Sequence, residues 1–298
     1  MKPFRLLTTI SASLLLLSCS KGNSDYDATG SFEATEIIVS SQANGRILAL
    51  NVNEGEQLQT GQIVGHIDST QLWLQKMSLL TNAEGVRAQQ PDISKQTAAI
   101  QEQIKTLERE KARTQRLIAA NAANRKQLDD IESQIEVLQR QLSAQTSTLK
   151  KSSQNISAQS STIDIQVAQL DDQLEKTRIT SPIAGTVLNR YAEMGELATM
   201  GTPLFKIADT GTLFLRAYVT NDQLVLIKLN DEVAVRVDDG QGGMRSYKGR
   251  ISWISDKSEF TPKTIQTKNE RANLVYALKI AVLNDGFLKI GMYGEVKF

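Results

Sequence analysis

The amino-acid sequence predicts an α+β protein with three parts: a small β-sandwich split into two halves, a long antiparallel coiled-coil α-hairpin inserted between them, and a small antiparallel β-barrel at the C-terminus. Three observations support this. A glycine-punctuated segment occurs twice, and the residues between the two copies carry a heptad pattern of apolar side chains. After the second copy, the chain alternates apolar and polar residues, as half-buried strands do.

The repeated segment predicts the split sandwich. Residues 41–68, SQANGRILALNVNEGEQLQTGQIVGHID, align without a gap to residues 181–209, SPIAGTVLNRYAEMGELATMGTPLFKIAD. Each copy consists of short runs of β-forming residues separated by glycine turns. The positions shared by the two copies are Ser41/Ser181, Gly45/Gly185, Ile47/Val187, Leu48/Leu188, Gly55/Gly195, Glu56/Glu196, Gly61/Gly201 and Ile67/Ile207.

Two such halves resemble the lipoyl/biotinyl-carrier fold. In a true carrier, a lysine in the tight turn between the halves bears the cofactor. Here residues 69–178 take the place of that turn, and no carrier lysine motif stands there. A lipoyl- or biotin-dependent carrier is therefore a poor alternative, and we predict no cofactor.

The inserted residues predict the hairpin. Apolar or small side chains follow one 3-4 grid in a first arm, the pattern stops between residues 119 and 127, and it resumes in a second arm. The first-arm positions are Leu72, Leu79, Ala83, Val86, Ile93, Ile100, Ile104, Leu107, Thr114 and Ile118, with Lys76, Gln90, Thr97 and Lys111 in the remaining seats. The second-arm positions are Leu128, Ile131, Ile135, Leu138, Leu142, Leu149, Ile156, Ile163, Val167, Leu170 and Leu174.

Pro91 interrupts the first arm without disturbing its grid, which predicts a kink or a short break at that point. Folding the hairpin about its tip places Pro91 opposite approximately Gln154, in a polar segment poor in helix formers. The second-arm grid changes phase across this segment, as a stutter would cause. We therefore predict a flexible joint formed by residues 88–94 and 151–161.

The residues after Asp209 predict the barrel. A short helix is expected within residues 220–230, with Thr220 or Asn221 as its cap, and a turn at residues 238–243. A long polar loop is expected over residues 259–274, either as a binding surface or as a simple solvated connection. The predicted strands are residues 212–219, 231–237, 247–255, 273–282 and 292–298.

The start of the chain reads as a secretion signal. Lys2 and Arg5 precede an apolar core, LLTTISASLLLLS, that is too short to span a membrane and remain there. The core ends in LLSC, which resembles the lipobox of bacterial lipoproteins, so Cys19 is the predicted site of lipidation. The alternative is an ordinary signal peptide with a chance cysteine.

Composition and charge argue against other classes of protein. The 298 residues carry a net charge of +1, and aromatic residues make up 5%. A nucleic-acid partner is not expected, because it would require a basic face and stacking platforms. One cysteine and one histidine, Cys19 and His66, cannot form an internal disulfide or a multi-His or multi-Cys metal cluster. The sequence holds no phosphate-binding G-x-x-x-x-G-K-[ST] loop, and we predict no enzyme and no catalytic residues.

The order of these segments resembles the HlyD-type periplasmic adaptors, or membrane fusion proteins. The motifs that carry the resemblance are ANGRILALNVNEGEQLQTGQ, TRITSPIAGTVLNRYAEMGE and the closing LKIGMYGEVKF; EFTPKTIQTKNER further resembles the adaptors of ABC-type exporters. The predicted organisation is a signal peptide (1–18), an N-terminal linker (19–36), the two sandwich halves (37–68 and 179–208), the hairpin (69–178) and the barrel (209–298).

The resemblance implies an adaptor that joins an inner-membrane ABC-type transporter to an outer-membrane channel. It also implies a ring of six copies, attached by the lipid to the inner membrane and facing the periplasm. The hairpin tip would dock on the channel through Arg113, Leu117 and Asn124, the last standing where the family often has serine. On the predicted grid, Arg113 and Leu117 lie off the seam, so Leu117 points away from its partner arm. The alternative is an envelope lipoprotein that only tethers or spaces. The transported substrate stays open.

Overall fold

The structure is a computed structural model that describes residues 26–260 and 274–298. The predicted signal peptide, Cys19 and most of the predicted polar loop at 259–274 lie outside the described residues. The described strands are β1 (Ala28–Ser40), β2 (Gly45–Leu50), β3 (Gln57–Leu58), β4 (Ile63–Ile67), β5 (Arg178–Thr180), β6 (Gly185–Arg190), β7 (Leu197–Ala198), β8 (Pro203–Val219), β9 (Glu232–Asp238), β10 (Met244–Phe260), β11 (Leu274–Leu283) and β12 (Tyr293–Lys297). The described helices are α1 (Thr70–Ala88), α2 (Ile93–Ala119), α3 (Arg125–Lys176) and α4 (Asn221–Leu224).

The predicted fold class is confirmed. The two sequence repeats form one β-sandwich, the helical hairpin α1–α2/α3 is inserted between β4 and β5, and the C-terminal strands form a closed barrel together with β1. The sandwich and the barrel each have their own cluster of buried apolar side chains. No helix in the described part of the chain is long and apolar enough to cross a membrane.

The two halves of the sandwich interlock through equivalent hydrogen bonds. Strand β3 of the first half pairs with β6 of the second, and β7 of the second half pairs with β2 of the first. Gly55 N donates to Val187 O and Gly195 N donates to Ile47 O, both at 2.8 Å. Gly55 and Gly195 have φ of 85° and 97°, a backbone conformation that residues other than glycine rarely adopt. The repeated glycines are therefore required by the two matching turns.

A different requirement explains Gly45 and Gly185. A Cβ atom at Gly185 would lie 2.3 Å from the carbonyl oxygen of Ala208, and one at Gly45 would lie 2.8 Å from a methyl of Ile67. Gly185 therefore lets β6 approach β8 closely, and Gly45 lets β2 approach β4 closely. Gly45 and Gly185 thus serve strand packing within each half, whereas Gly55 and Gly195 serve the turns that join the two halves.

The predicted N-terminal linker (19–36) is wrong over residues 28–36. These residues belong to β1, which pairs with β12 and β8 and runs from the barrel into the sandwich. Phe32 is buried in the barrel core, and the register continues to Ser40 opposite Pro203. The barrel boundary at residue 209 likewise falls inside β8, so two continuous strands join the two domains.

The barrel closes in the order β1-β12-β9-β10-β11-β8, with β8 returning to β1. All five predicted strands are present. The predicted helix at 220–230 is shorter, because α4 ends at Leu224 and the chain then turns so that Ile227 is buried in the barrel core. Thr220 forms a capping box with Gln223, as the predicted cap at this position requires.

Candidate functional site: the helical hairpin and its tip

The hairpin buries the side chains that the heptad grid assigns to its seam. Of all the predicted seam positions, only Gln90 is classed as exposed; the others are buried or half-buried. Because the seam uses one face of each helix, the opposite faces stay in solvent. The hairpin is therefore a rod held together along one stripe.

The seam changes phase earlier than predicted. Leu138, Leu142 and Thr146 are all half-buried and four residues apart, whereas the seam elsewhere alternates three and four. The predicted position, across residues 151–161, is therefore wrong. The sequence analysis missed Thr146 because, from Leu142 onward, it followed only the leucine and isoleucine positions spaced seven apart.

The first arm breaks where predicted. Helix α1 ends at Ala88 and α2 starts at Ile93, after Asp92, whose carboxylate accepts a hydrogen bond from Lys95 N at 3.0 Å. Gln90 Nε2 donates to Ser153 Oγ at 2.9 Å, one residue from the predicted partner of Pro91. Helix α3 continues unbroken past this point. The break is confirmed in one arm only, and the flexibility of the joint stays a prediction.

Ion pairs between the arms lie along the rod. Lys76 Nζ lies 2.5 Å from Asp171, Arg87 lies 2.6 Å from Asp164, and Lys111 Nζ lies 3.0 Å from Glu132. Such exposed pairs contribute about 0–1 kcal/mol each, so they set the register between the arms more than they add stability. At the sandwich end of the hairpin, the backbone N–H of Thr70 donates a hydrogen bond to Asp68 and lowers its pKa below the usual value. The hydroxyl of Thr70 also donates to Asp68 and contributes less to this lowering of the pKa.

The tip turn ends α2 in a Schellman motif. Ala122 N donates to Leu117 O at 2.8 Å, and Asn121 N donates to Ile118 O at 3.0 Å. Asn121 has φ of 58°, which places it in the left-handed region where glycine is the usual residue. This explains how a tip without glycine reverses the chain. The sequence analysis missed this role, although asparagine is the second most common residue at this position.

Substitutions at Asn121 should therefore show whether the tip turn needs a residue that tolerates the left-handed backbone conformation. We expect Asn121→Ala to lower the free energy of unfolding by about 1 kcal/mol, because the left-handed backbone conformation is unfavourable for alanine but not for glycine. Asn121→Gly should leave stability unchanged or raise it slightly. Urea denaturation followed by the helical circular dichroism signal measures both. A larger loss for glycine than for alanine would contradict the Schellman assignment.

The predicted tip residues occupy distinct places around this turn. Leu117 is 40% exposed, whereas its neighbour Thr114 on the seam is 6% exposed. Arg113 is also exposed, so the off-seam positions predicted for both residues agree with the structure. Asn124 is the N-cap of α3, and its Oδ1 accepts from Lys126 N at 3.0 Å. Within the described residues, no hydrogen bond or ion pair joins Arg113, Leu117 and Asn124 to one another.

The cap fixes what Asn124 offers to a partner. Its side-chain oxygen is occupied by the backbone of α3, and the amide nitrogen remains as a donor in solvent. A serine would fill the same capping role. The asparagine therefore changes the outward-facing group of the tip without changing how the helix starts.

A second surface lies on the sandwich. Met194, Leu197 and Met200 are 68%, 76% and 70% exposed. The equivalent positions in the first half, at an offset of 140 residues, are Glu54, Gln57 and Thr60. One half therefore presents an apolar edge where the other presents a polar edge. We call Met194, Leu197 and Met200 the apolar edge.

The described residues contain no group of three or more His, Cys, Asp or Glu side chains that could hold a metal ion. His66 lies exposed in β4, paired with Ala49 on one side and Arg178 on the other.

Comparison with known proteins agrees with this architecture. Residues 35–210, more than half of the chain, match the family model described as the RND membrane fusion protein, barrel-sandwich hybrid domain. The chain belongs to the membrane fusion protein family. The matched residues contain the two sandwich halves and the whole hairpin.

This membrane fusion protein matches its relatives over most of its own length and over most of theirs. A UPF0194 membrane protein in the asrC 5′ region of Acidithiobacillus ferridurans is 27% identical over 284 residues, covering 88% of this chain and 83% of that protein. The UPF0194 membrane protein YbhG of Salmonella arizonae is 26% identical over 290 residues, covering 90% and 87%.

Solved structures share the fold of this membrane fusion protein. MacA from Actinobacillus actinomycetemcomitans superposes with a TM-score of 0.53 at 21% identity, over 91% of this chain and 76% of that chain. A MacA–MexA chimera carrying the Pseudomonas aeruginosa MexA α-hairpin domain superposes with a TM-score of 0.51 at 21% identity, over 90% and 78%.

Proposed function

We propose that this membrane fusion protein is the periplasmic adaptor of a tripartite export system, linking an inner-membrane ABC-type exporter to an outer-membrane channel. The observation that carries the proposal is the hairpin tip. The hairpin ends in a hydrogen-bonded Schellman turn beside an exposed leucine, Leu117, that is turned away from the partner arm. An apolar side chain presented in this way is suited to dock in a groove of another protein.

The dimensions of the rod suit this role. Helix α3 has 52 residues, which at 1.5 Å per residue makes about 78 Å. The rod is joined to the sandwich, and the sandwich is joined to the barrel by β1 and β8. A molecule of this shape holds the hairpin tip about 78 Å from the sandwich, so that the tip and the barrel can contact different partners.

The ABC-type assignment rests on a sequence resemblance. Residues 259–271, EFTPKTIQTKNER, resemble the corresponding segment of adaptors that accompany ABC-type exporters, and most of them lie outside the described residues. The adaptor itself carries no nucleotide-binding loop, so hydrolysis would belong to another polypeptide. Lipidation of Cys19 would anchor the barrel end at the inner membrane, facing the periplasm.

Self-association into a ring, with six copies as the family resemblance implies, is supported by the apolar edge. A polar first half and an apolar second half suit head-to-tail contact, in which each copy uses two different surfaces. Such contacts close into rings when the rotation permits.

Leu197→Asp should therefore weaken self-association. Leu197 is 76% exposed and pairs only at the edge of β2, so the substitution is expected to leave the sandwich folded. Burying a charge in the contact should raise the dissociation constant at least tenfold, about 1.4 kcal/mol. Analytical ultracentrifugation measures the change, with Val137→Asp, 63% exposed on the shaft of α3 and away from both halves of the sandwich, as the matched variant. Equal effects of the two variants would contradict a ring that uses the apolar edge.

Cross-linking tests the proposed function. With the thiol of Cys19 blocked by lipid, Leu117→Cys would supply one reactive thiol at the tip. In cells that contain the transporter and channel, we expect it to trap an outer-membrane protein. Val137→Cys, 63% exposed on the shaft of α3, is the control that should trap none. Failure to trap a partner at Leu117 would favour a lipoprotein that only tethers or spaces.

A further inference from the structure

The end of the barrel farthest from the sandwich contains an apolar tip with no partner in the described chain. Strand β8 ends there at Val219, opposite Tyr276 of β11. The connection from β8 to β9, residues 220–231, crosses this end. Two adjacent aliphatic side chains in it, Val225 and Leu226, are 78% and 80% exposed.

The connection is a rigid support for these two side chains. Leu224 packs against the barrel core and Ile227 is buried in it, so the residues on both sides of the pair face inward. Leu226 N donates to Gln223 O at 3.0 Å, and Lys228 N donates to Asp231 Oδ2 at 2.7 Å. Val225 and Leu226 are therefore held outward by the fold.

The chain outside the structure starts from the same end of the barrel. Gln223 Nε2 donates to the carbonyl oxygen of Asp27 at 2.6 Å, so α4 lies directly against the first described residues. Strand β1 pairs Thr29 with Tyr218 at this end, and Phe298 N donates to Asp27 Oδ2 at 2.9 Å. Asp27, near the start of the described residues, and Phe298 therefore both lie beside the apolar tip.

The number of residues between Cys19 and Asp27 limits how far the apolar tip of Val225 and Leu226 can lie from a bilayer attached at Cys19. Cys19 precedes Asp27 by eight residues, which span at most about 29 Å when fully extended. Residues 6–18 before it are the apolar run LLTTISASLLLLS. With the bilayer attachment at Cys19, as in the proposed function, Asp27 and the apolar tip beside it are tethered within about 29 Å of the attachment point.

We infer that Val225 and Leu226 insert into the interface of the phospholipid bilayer to which the N-terminus is attached, and so orient the barrel on the membrane. A lipid anchor alone leaves the barrel free to swivel on its tether. A second apolar contact beside the tether removes that freedom, in the way that two weak membrane contacts act together. This inference rests on the membrane attachment in the proposed function and adds a contact to it.

The test uses the full-length protein reconstituted into vesicles of phosphatidylethanolamine and phosphatidylglycerol. Leu226→Cys is labelled with an environment-sensitive nitrobenzoxadiazole dye, and some vesicles contain lipids with a spin label on the upper acyl chain as a quencher. If the tip lies about 5–10 Å into the headgroup and acyl boundary, the dye emission should shift to the blue and be strongly quenched. The matched control is Leu283→Cys, which is 78% exposed at the opposite end of the barrel, where Leu283 pairs with Thr212.

Each outcome decides something different. Quenching at Leu226 without quenching at Leu283 supports the inference. Flotation of the protein with the vesicles, without quenching at Leu226, overturns the inference and leaves the adaptor proposal standing. Failure of the wild-type protein to float with the vesicles overturns the membrane attachment and the inference together. A blue shift that needs the co-purified transporter and resists the lipid quencher also overturns it, because a protein then covers the tip.

Discussion

Gly185→Ala is expected to lower the free energy of unfolding by about 3 kcal/mol, near the upper end of the usual cost of forcing an extra methyl group into a packed site. Gly185 lies between β3 and β8, opposite Leu58 on one side. The added Cβ would lie 2.3 Å from Ala208 O and 3.2 Å from a side-chain carbon of Ile207. The close neighbours include backbone atoms of β8, which continues into the barrel. Relief therefore requires moving a strand that both domains share.

Gly85→Ala is the matched control. Gly85 lies in α1 on the exposed face of the hairpin, and a Cβ there would meet no atom within 4 Å. Because alanine is the better helix former, we expect this variant to gain about 0.5–1 kcal/mol. Urea denaturation of both variants, followed by circular dichroism for the helices and by the combined fluorescence of Trp73 in α1 and Trp253 in β10, gives the two changes. A Gly185→Ala protein as stable as wild type would contradict the close approach of β6 to β8.

Leu117→Lys is expected to raise the dissociation constant for the outer-membrane channel about 30-fold or more, which corresponds to the loss of a hot-spot residue worth 2 kcal/mol. Lysine forms helices well, and a positive charge near the C-terminus of α2 is favourable for the helix dipole. The substitution should therefore spare the hairpin and remove only the apolar contact. Surface plasmon resonance with the purified channel measures the change.

Val137→Lys is the control for this prediction. Val137 is an aliphatic residue on the shaft of α3 and is 63% exposed, more than Leu117. Since it lies away from the tip, its substitution should leave channel affinity within a factor of about two, close to the ±0.5 kcal/mol expected of a surface change. If both lysine variants lost affinity equally, the channel would bind the shaft of the rod, and the tip assignment would fail.

The parts of the fold that are periodic or repeated could be predicted from the sequence. The heptad grid assigned almost every buried seat of the hairpin, and the repeat located the turns of Gly55 and Gly195. Both signals depend on local constraints, namely side-chain spacing along a helix and backbone conformation at a turn. The interruption at Pro91 belongs to the same class, because proline limits its own neighbourhood.

Features that depend on distant partners escaped the sequence. Residues 28–36 form a strand because β8 and β12 provide edges for pairing, and nothing in their own pattern shows those partners. At the tip, Arg113, Leu117 and Asn124 were named from a family resemblance, whereas Asn121 emerged only from its φ angle. The structure also shows that Asn124 is held by its own helix, which no spacing argument could establish.

Isolation of the tagged protein from cross-linked cells tests most directly the claim that it bridges two membranes. Mass spectrometry of the purified material should identify subunits of an inner-membrane ABC-type transporter together with an outer-membrane channel, and Leu117→Lys should remove the channel while retaining the transporter. Recovery of proteins from one membrane alone with the wild-type chain, or loss of both partners in the variant, would contradict the account.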